Sequence, residues 1–314
     1  MHRKHEIGHY VAEMQSSRTL HIPVLQTTVM NVFQPKHGET VLDVTLGLGG
    51  HAHTFLESVG EAGRLIGLDA DQRNLEVARK NLSEFSDRTT LMHANFSQLS
   101  ELNLPRVDIL FADLGLSSPH LDDPARGFSF RSDGPLDLRF DQSRGVTAMH
   151  LIEMSDEAEL ATIFRSYGEL YMQARRLAST LAGTQIATTA QLRTLIEELF
   201  GFRAKAILPL VFQALRIAVN DELTALDALL HVGPSLLKKG GRMGIISYHS
   251  LEDRPVKHTF RSLTTPLKDP ITGKISQDAA FRLLTPKALV PSAQEMADNP
   301  RSRSAKFRAL QFRL

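Results

Sequence analysis

Four carboxylates and one glycine turn carry the chemistry this sequence offers. Asp113 closes the apolar run Val107-Asp-Ile-Leu-Phe-Ala112 and opens a loop, Leu114-Gly-Leu-Ser-Ser-Pro-His120. The loop continues through Arg126-Gly-Phe-Ser-Phe-Arg131 to Asp137. The apolar run reads as a buried strand, so Asp113 stands where a strand gives way to polar chain. In an open α/β sheet, ligands bind beyond the carboxyl ends of the strands. Asp43 lies in a second apolar stretch that leads into Gly47-Leu-Gly49-Gly50-His51-Ala52. Glycines there permit a tight turn and let a ligand approach the backbone. Asp69 follows the next apolar run at about 20 residues, the spacing at which an acid meets ribose hydroxyls.

The glycine pattern, G-x-G-x-x-A, admits a nicotinamide dinucleotide, and an oxidoreductase is one reading. Asp43 argues for a different ligand. A carboxylate ahead of the glycines attracts the sulfonium or amino group of S-adenosylmethionine and repels a pyrophosphate. The plainer role for Asp43 is to bond the amides of its own loop.

These groups need a scaffold. Residues 41–47, 64–68, 89–94 and 107–114 read as strands, and a helix over 72–85 carries Leu75, Ala78 and Leu82 at helical spacing. Strands alternating with helices predict βαβ units and a parallel sheet. From about 134 to 212 the alternation stops, and residues 155–167, 171–183 and 189–200 show helical periodicity alone. It resumes with a helix over 213–238, a Gly240-Gly241 turn, a strand over 242–247, a helix after Ser250 and a strand over 306–314. The expected fold is therefore α/β, a Rossmann-like sheet with an inserted all-helical domain. Its parts are a tail at 1–19, a discontinuous α/β domain at 20–133 and 213–314, and the insertion at 134–212.

Composition sets the remaining bounds. With 42% hydrophobic and 23% charged residues, the 314-residue chain fits a globular protein. The absence of cysteine removes disulfides, thiolate metal sites, iron–sulfur clusters and cysteine nucleophiles. His2, His5 and His9 have no accompanying carboxylate cluster, so no metal is expected. No apolar run approaches a membrane span and the N-terminus lacks a signal-peptide core, which points to the cytoplasm. Net charge is only +1, but Arg301, Arg303, Lys306, Arg308 and Arg313 fall in a stretch without acids. That stripe suits phosphates.

Longer motifs add a family. The stretches are His21-Ile-Pro-Val-Leu25, residues 43–51, 113–119 and 126–141, Tyr167-Gly-Glu169, Phe212-Gln-Ala-Leu-Arg-Ile217 with Val219-Asn220, Ser247-Tyr-His-Ser-Leu-Glu-Asp-Arg254 and Asn299-Pro-Arg-Ser-Arg-Ser-Ala-Lys306. In these the chain resembles the bacterial 16S ribosomal RNA cytosine-N4 methyltransferases, from about residue 20 to its end. The resemblance implies a class I methyltransferase sheet with a helical substrate-recognition insertion, acting on a decoding-site cytidine of the small ribosomal subunit. It implies S-adenosylmethionine contacts at Gly49, Gly50, His51, Asp69, Phe96, Asp113 and His120. Two departures stand out. His120 replaces a glutamine usual in the family, and Ala206-Ile-Leu-Pro-Leu-Val211 replaces a His-Pro-Ala-Thr-Arg-Thr run, removing an arginine and hydroxyls.

For methyl transfer to an exocyclic amine, a carboxylate must accept a hydrogen bond from the amine and stabilise charge developing on nitrogen. Asp113 is the first candidate, with Asp137 and Asp141 as alternatives. His249 and Glu252 look catalytic by composition, although Ser250 and Asp253 have the spacing of a helix cap, which would leave His249 to pack. The target base must be exposed, and Phe128, Phe130 or Tyr248 could stack on it. Arg126, Arg131 and Arg139, together with Arg301, Arg303 and Lys306, are candidates for phosphate. A non-catalytic RNA-binding assembly protein is the remaining alternative.

Overall fold

The computed structural model describes residues 23–313. The predicted tail at 1–19, with His2, His5 and His9, lies outside them. Among the described residues the strands are β1 (Thr40–Asp43), β2 (Arg64–Asp69), β3 (Thr89–His93), β4 (Val107–Asp113), β5 (Leu237–Ser247), β6 (Leu267–Lys268), β7 (Ile275–Gln277), β8 (Phe281–Leu283) and β9 (Lys306–Phe312). Seven of them form one sheet in the order β3-β2-β1-β4-β5-β9-β8, while β6 and β7 pair as a separate hairpin. β1 to β5 run parallel, and β9 is antiparallel to β5 and β8. Parallel strands are covered on both faces by their crossover helices, so they read as apolar runs rather than alternations.

The described helices are α1 (Gln26–Phe33), α2 (Gly50–Val59), α3 (Gln72–Asn81), α4 (Ser118–Asp122), α5 (Ala148–Met154), α6 (Glu157–Gly168), α7 (Ala174–Leu181), α8 (Thr189–Phe200), α9 (Ala204–Asn220), α10 (Glu222–Val232), α11 (Ser250–Leu263) and α12 (Ala293–Asp298). One face of the sheet packs Phe33, Phe55, Phe111 and Phe307 under α1 and α2. The other packs Leu110, Met243, Leu226, Leu229 and Phe260 under α10 and α11. Strand order reverses between β1 and β4, where Asp43 lies in register with Phe111. That switch point places the ends carrying Asp43 and Asp113 side by side.

A third core belongs to the helices α5 to α9. It draws in Phe128 before residue 134 and Ala214 and Leu215 after 212, so the helical body is wider than the 134–212 span. The reason is α9, which starts in the insertion and runs unbroken to Asn220 with Pro209 inside it. Ile207, Leu208 and Val211 of the altered segment face this core. The helix expected over 213–238 is the end of α9 and all of α10, parted by Asp221 at φ 50°, and its last two residues already belong to β5. The Gly240-Gly241 turn lies within the longer strand β5, and the β6–β7 hairpin and β8 had no expectation in the sequence.

Candidate active site

A cavity of about 890 Å³ opens across the ends of β1, β2, β4 and β5. Its first wall is the glycine turn. Gly49 has φ 86°, a conformation side chains avoid. A Cβ on Gly50 would lie 2.7 Å from the ring of Pro23. Asp69 holds this turn in place. One of its oxygens accepts from Gly47 N at 2.7 Å, and the other from Asp71 N at 2.7 Å and the Asn74 amide at 3.3 Å. A carboxylate offers about four acceptor positions, so Asp69 retains one beyond these three bonds.

Asp43 and Asp113 also line the cavity. Asp43 accepts from Thr45 N at 3.1 Å. Burial pushes its carboxyl up to about 7, with a smaller push from Asp113 and Asp69 and an opposing pull from Thr45. Asp113 accepts from the Tyr248 hydroxyl at 2.8 Å, while its backbone N–H donates to Thr45 Oγ1 at 2.6 Å. Burial raises Asp113 to about 7 despite that hydroxyl, aided by the Glu252 charge. Desolvated carboxylates facing one space call for a cation, and the sulfonium and ammonium of S-adenosylmethionine fit. His51 lies with its Nε2 3.7 Å from Asp113 and its ring against Phe111. Burial pushes it down to about 3, so it is neutral. Phe96, half-buried, completes the lining beyond β3.

His120 lines the cavity, yet its ring nitrogens are engaged. Nδ1 accepts from Ser117 N at 3.2 Å, which assigns the proton to Nε2, 3.0 Å from Asp71. Arg126 Nη1 donates to the same Asp71 oxygen at 2.5 Å, and Nη2 donates to the carbonyls of Arg139 and Phe140. Burial alone would raise Asp71, but the bonds from His120 and Arg126 outweigh it and hold it at about 2. Burial pushes His120 downward, against the pull of Asp71. The ring acts as a strut between the β2 turn and the β4 loop.

Several expected contacts lie elsewhere. Arg126 is 2% exposed and committed to Asp71, so phosphate cannot reach it. Phe128 is buried and stacks on Phe140 with ring centroids 5.5 Å apart, which leaves no face for a base. Phe130 packs edgewise on Phe212 in the helical core. Asp137 is gripped by Arg139 at 2.7 Å and 2.9 Å and stands outside the cavity lining. There burial would raise its carboxyl, but Arg139 holds it below the usual range. His249 is the N-cap of α11 in a reciprocal box with Glu252, so the cap lies one residue before the predicted Ser250–Asp253 pairing. Its Nε2 sits 3.1 Å from Glu252, and the ring is absent from the cavity lining. Arg301 pairs with Asp122 at 2.5 Å, and Lys306 and Arg308 pair with Asp253 at 3.6 Å and 2.7 Å. Arg131 and Arg303 are exposed. Tyr248 alone of the expected stacking residues lines the cavity.

Arg216, Asn220 and Glu222 also form the cavity wall, a role that the sequence does not assign to them individually. They sit where α9 meets α10, a junction the sequence presented as mid-helix. The available signal was Phe212–Ile217 with Asn220, motif residues that carry polar groups inside an apolar helix.

A parallel sheet with one antiparallel strand let in beside β5, and an acid-rimmed cavity at the switch point, define a class I methyltransferase. The profile of the MraW methylase family matches residues 18–313, and the chain belongs to that family. It is 44% identical over 305 residues to ribosomal RNA small subunit methyltransferase H of Syntrophotalea carbinolica, covering 92% of this chain and 97% of that one. The protein of the same name from Cyanothece sp. is 42% identical over 295 residues, covering 93% and 94%. In Bacteroides fragilis it is 40% identical over 309 residues, covering 94% and 98%. Membership in a methylase family sets aside the oxidoreductase reading of the glycine turn.

Proposed function

We propose that this chain binds S-adenosylmethionine across the ends of β1, β2 and β4 and methylates the exocyclic N4 amine of a decoding-site cytidine in 16S ribosomal RNA. The cytoplasm and the small ribosomal subunit are the corresponding setting and partner. The observation that carries the reading is the Tyr248–Asp113 pair at the strand ends, facing the same cavity as Asp43, Asp69 and the glycine turn. Bound there, S-adenosylmethionine supplies a methyl group on a sulfonium and leaves as S-adenosylhomocysteine.

The protein's part is positional and electrostatic. Gly49 and Gly50 admit the cofactor close to the backbone, and Asp69 meets its ribose. Asp43 would offset the positive charge of the cofactor at the end of β1. Asp113 accepts a hydrogen bond from the cytosine amine and draws its lone pair out of conjugation with the ring. As the N–C bond forms and the C–S bond breaks, the amine becomes cationic, and Asp113 takes its proton and passes it to solvent. The Tyr248 hydroxyl holds Asp113 in orientation, and burial keeps Tyr248 protonated, with Asp113 adding to that effect.

The test is incubation with methyl-labelled S-adenosylmethionine and small subunits lacking the modification, followed by digestion to nucleosides. Labelled N4-methylcytidine is expected, and its loss in Asp113→Ala at a cofactor concentration that saturates the variant. Folded protein that binds RNA but yields no labelled nucleoside overturns the reading.

A further inference from the structure

We propose that Arg216 reads the Watson–Crick edge of the acceptor base, which makes it the residue that selects cytosine. The inference rests on the cytidine reading above and adds the base-recognition element to it.

Arg216 projects from α9 into the cavity wall with its side chain 12% exposed. Its Nε and Nη2 donate to the two oxygens of Glu222 at 2.7 Å and 2.9 Å. That fork uses two of the five N–H donors of a guanidinium, so three remain for a ligand. Lys80 and Arg301, the other Lys and Arg residues among the described cavity lining, are exposed. Burial works against the charge on Arg216, but Glu222 and, more weakly, Glu252 restore it. Glu252 accepts from Tyr248 N at 2.7 Å, so Arg216 belongs to the Tyr248–Asp113 end of the cavity. The arrangement sets a planar cationic donor and a carboxylate acceptor in the wall of one cavity.

Cytosine matches that pair. It presents acceptors at N3 and O2 and a donor at N4, so Arg216 donates to the first two while Asp113 accepts from the third. Uracil carries a donor at N3 and an acceptor at position 4, and would leave both protein groups facing like partners. Sites built to hydrogen-bond a substrate reject analogues that cannot reciprocate, because the buried groups are then unpaired.

The test uses the full chain and small subunits assembled around 16S RNA with either cytidine or 3-deazacytidine at the target. The analogue keeps the amine and replaces N3 by a carbon. Wild type is expected to prefer cytidine by about tenfold or more in single-turnover rate, as loss of a charged hydrogen bond implies. In Arg216→Met with Glu222→Gln, which removes the ion pair without stranding a buried charge, the ratio falls toward one while cofactor affinity stays within about threefold. Arg216→Lys keeps a charge beside Glu222 without the fork, gives an intermediate ratio, and serves if the double variant does not fold. Intrinsic reactivity of the two nucleosides cancels in the comparison of proteins. Wild type that treats both subunits alike, or variants that keep its full preference, overturn the role of Arg216. Wild type that fails to methylate even the cytidine subunit overturns the reading of the site instead.

Discussion

At the scale of single residues, the site turns on carboxylates whose protonation the cofactor must control. Asp43 and Asp113 both stand near 7, pushed up by burial. A cationic ligand binds the ionised forms, so below pH 7 binding must first expel protons. S-adenosylmethionine affinity is therefore expected to fall as pH drops from 7 to 5, by up to about tenfold per unit for each proton expelled. Asp43→Asn should weaken binding at pH 8 and flatten that slope, which calorimetric titration across pH would show. Tyr248→Phe should reduce kcat by about 10- to 100-fold, the worth of one hydrogen bond to a charged group, with cofactor affinity nearly unchanged. The sequence made Asp43, Asp69 and Asp113 legible because each ends an apolar run. It misplaced Arg126 and Phe128, whose partners Asp71 and Phe140 meet them only after the loop has folded. Arg126 to Asp71 spans 55 positions in the chain, and no local spacing announces such a pair.

At the scale of elements, the β4 loop and the β2 turn are locked together by one buried cluster of Asp71, His120 and Arg126. Removing the shared carboxylate strands a guanidinium that is 2% exposed. Asp71→Asn is therefore expected to cost about 3 kcal/mol, the lower end for a broken buried pair, and a thermal melt would report it. The sign with pH follows from the depressed carboxyl. Its contribution is whole above the ordinary value of 3.8 and fades as pH falls through about 2. The Asn variant should lose part of its acid-unfolding limb over that range. Strand and helix periodicities placed most of the sheet in the sequence, and residues 189–200 matched α8 end for end. The α9–α10 break escaped because it depends on one left-handed residue, Asp221, between two apolar helices. The short strand β8 escaped because three residues carry too little pattern to register.

At the scale of the whole molecule, the basic stripe near the C-terminus is mostly spent on the fold. Arg308 ties β9 to α11 through Asp253, and Arg301 ties the segment after α12 to Asp122 of α4. Arg303 is exposed and takes no part in these ion pairs. Arg303→Ala should weaken subunit binding and lower the slope of log K against log salt by about one. Arg308→Ala should instead lower the melting temperature and leave the salt slope unchanged. Filter binding at several salt concentrations, paired with melts, separates the two. Charge counting along a sequence sees the cations but not the acids that fold onto them, which is why the stripe looked wholly available.

The unbroken α9 has a thermodynamic consequence of its own. One end of this helix is built into the insertion's core, and the other bears Arg216 and Asn220 in the cavity wall. On the proposed function, this one helix joins the body on which RNA would dock to the cavity that would hold the cofactor. Whatever factor a docked RNA imposes on cofactor affinity, the cofactor must return to RNA affinity in equal measure. A chimera that exchanges the insertion while cutting α9 would sever that exchange as well as the wall.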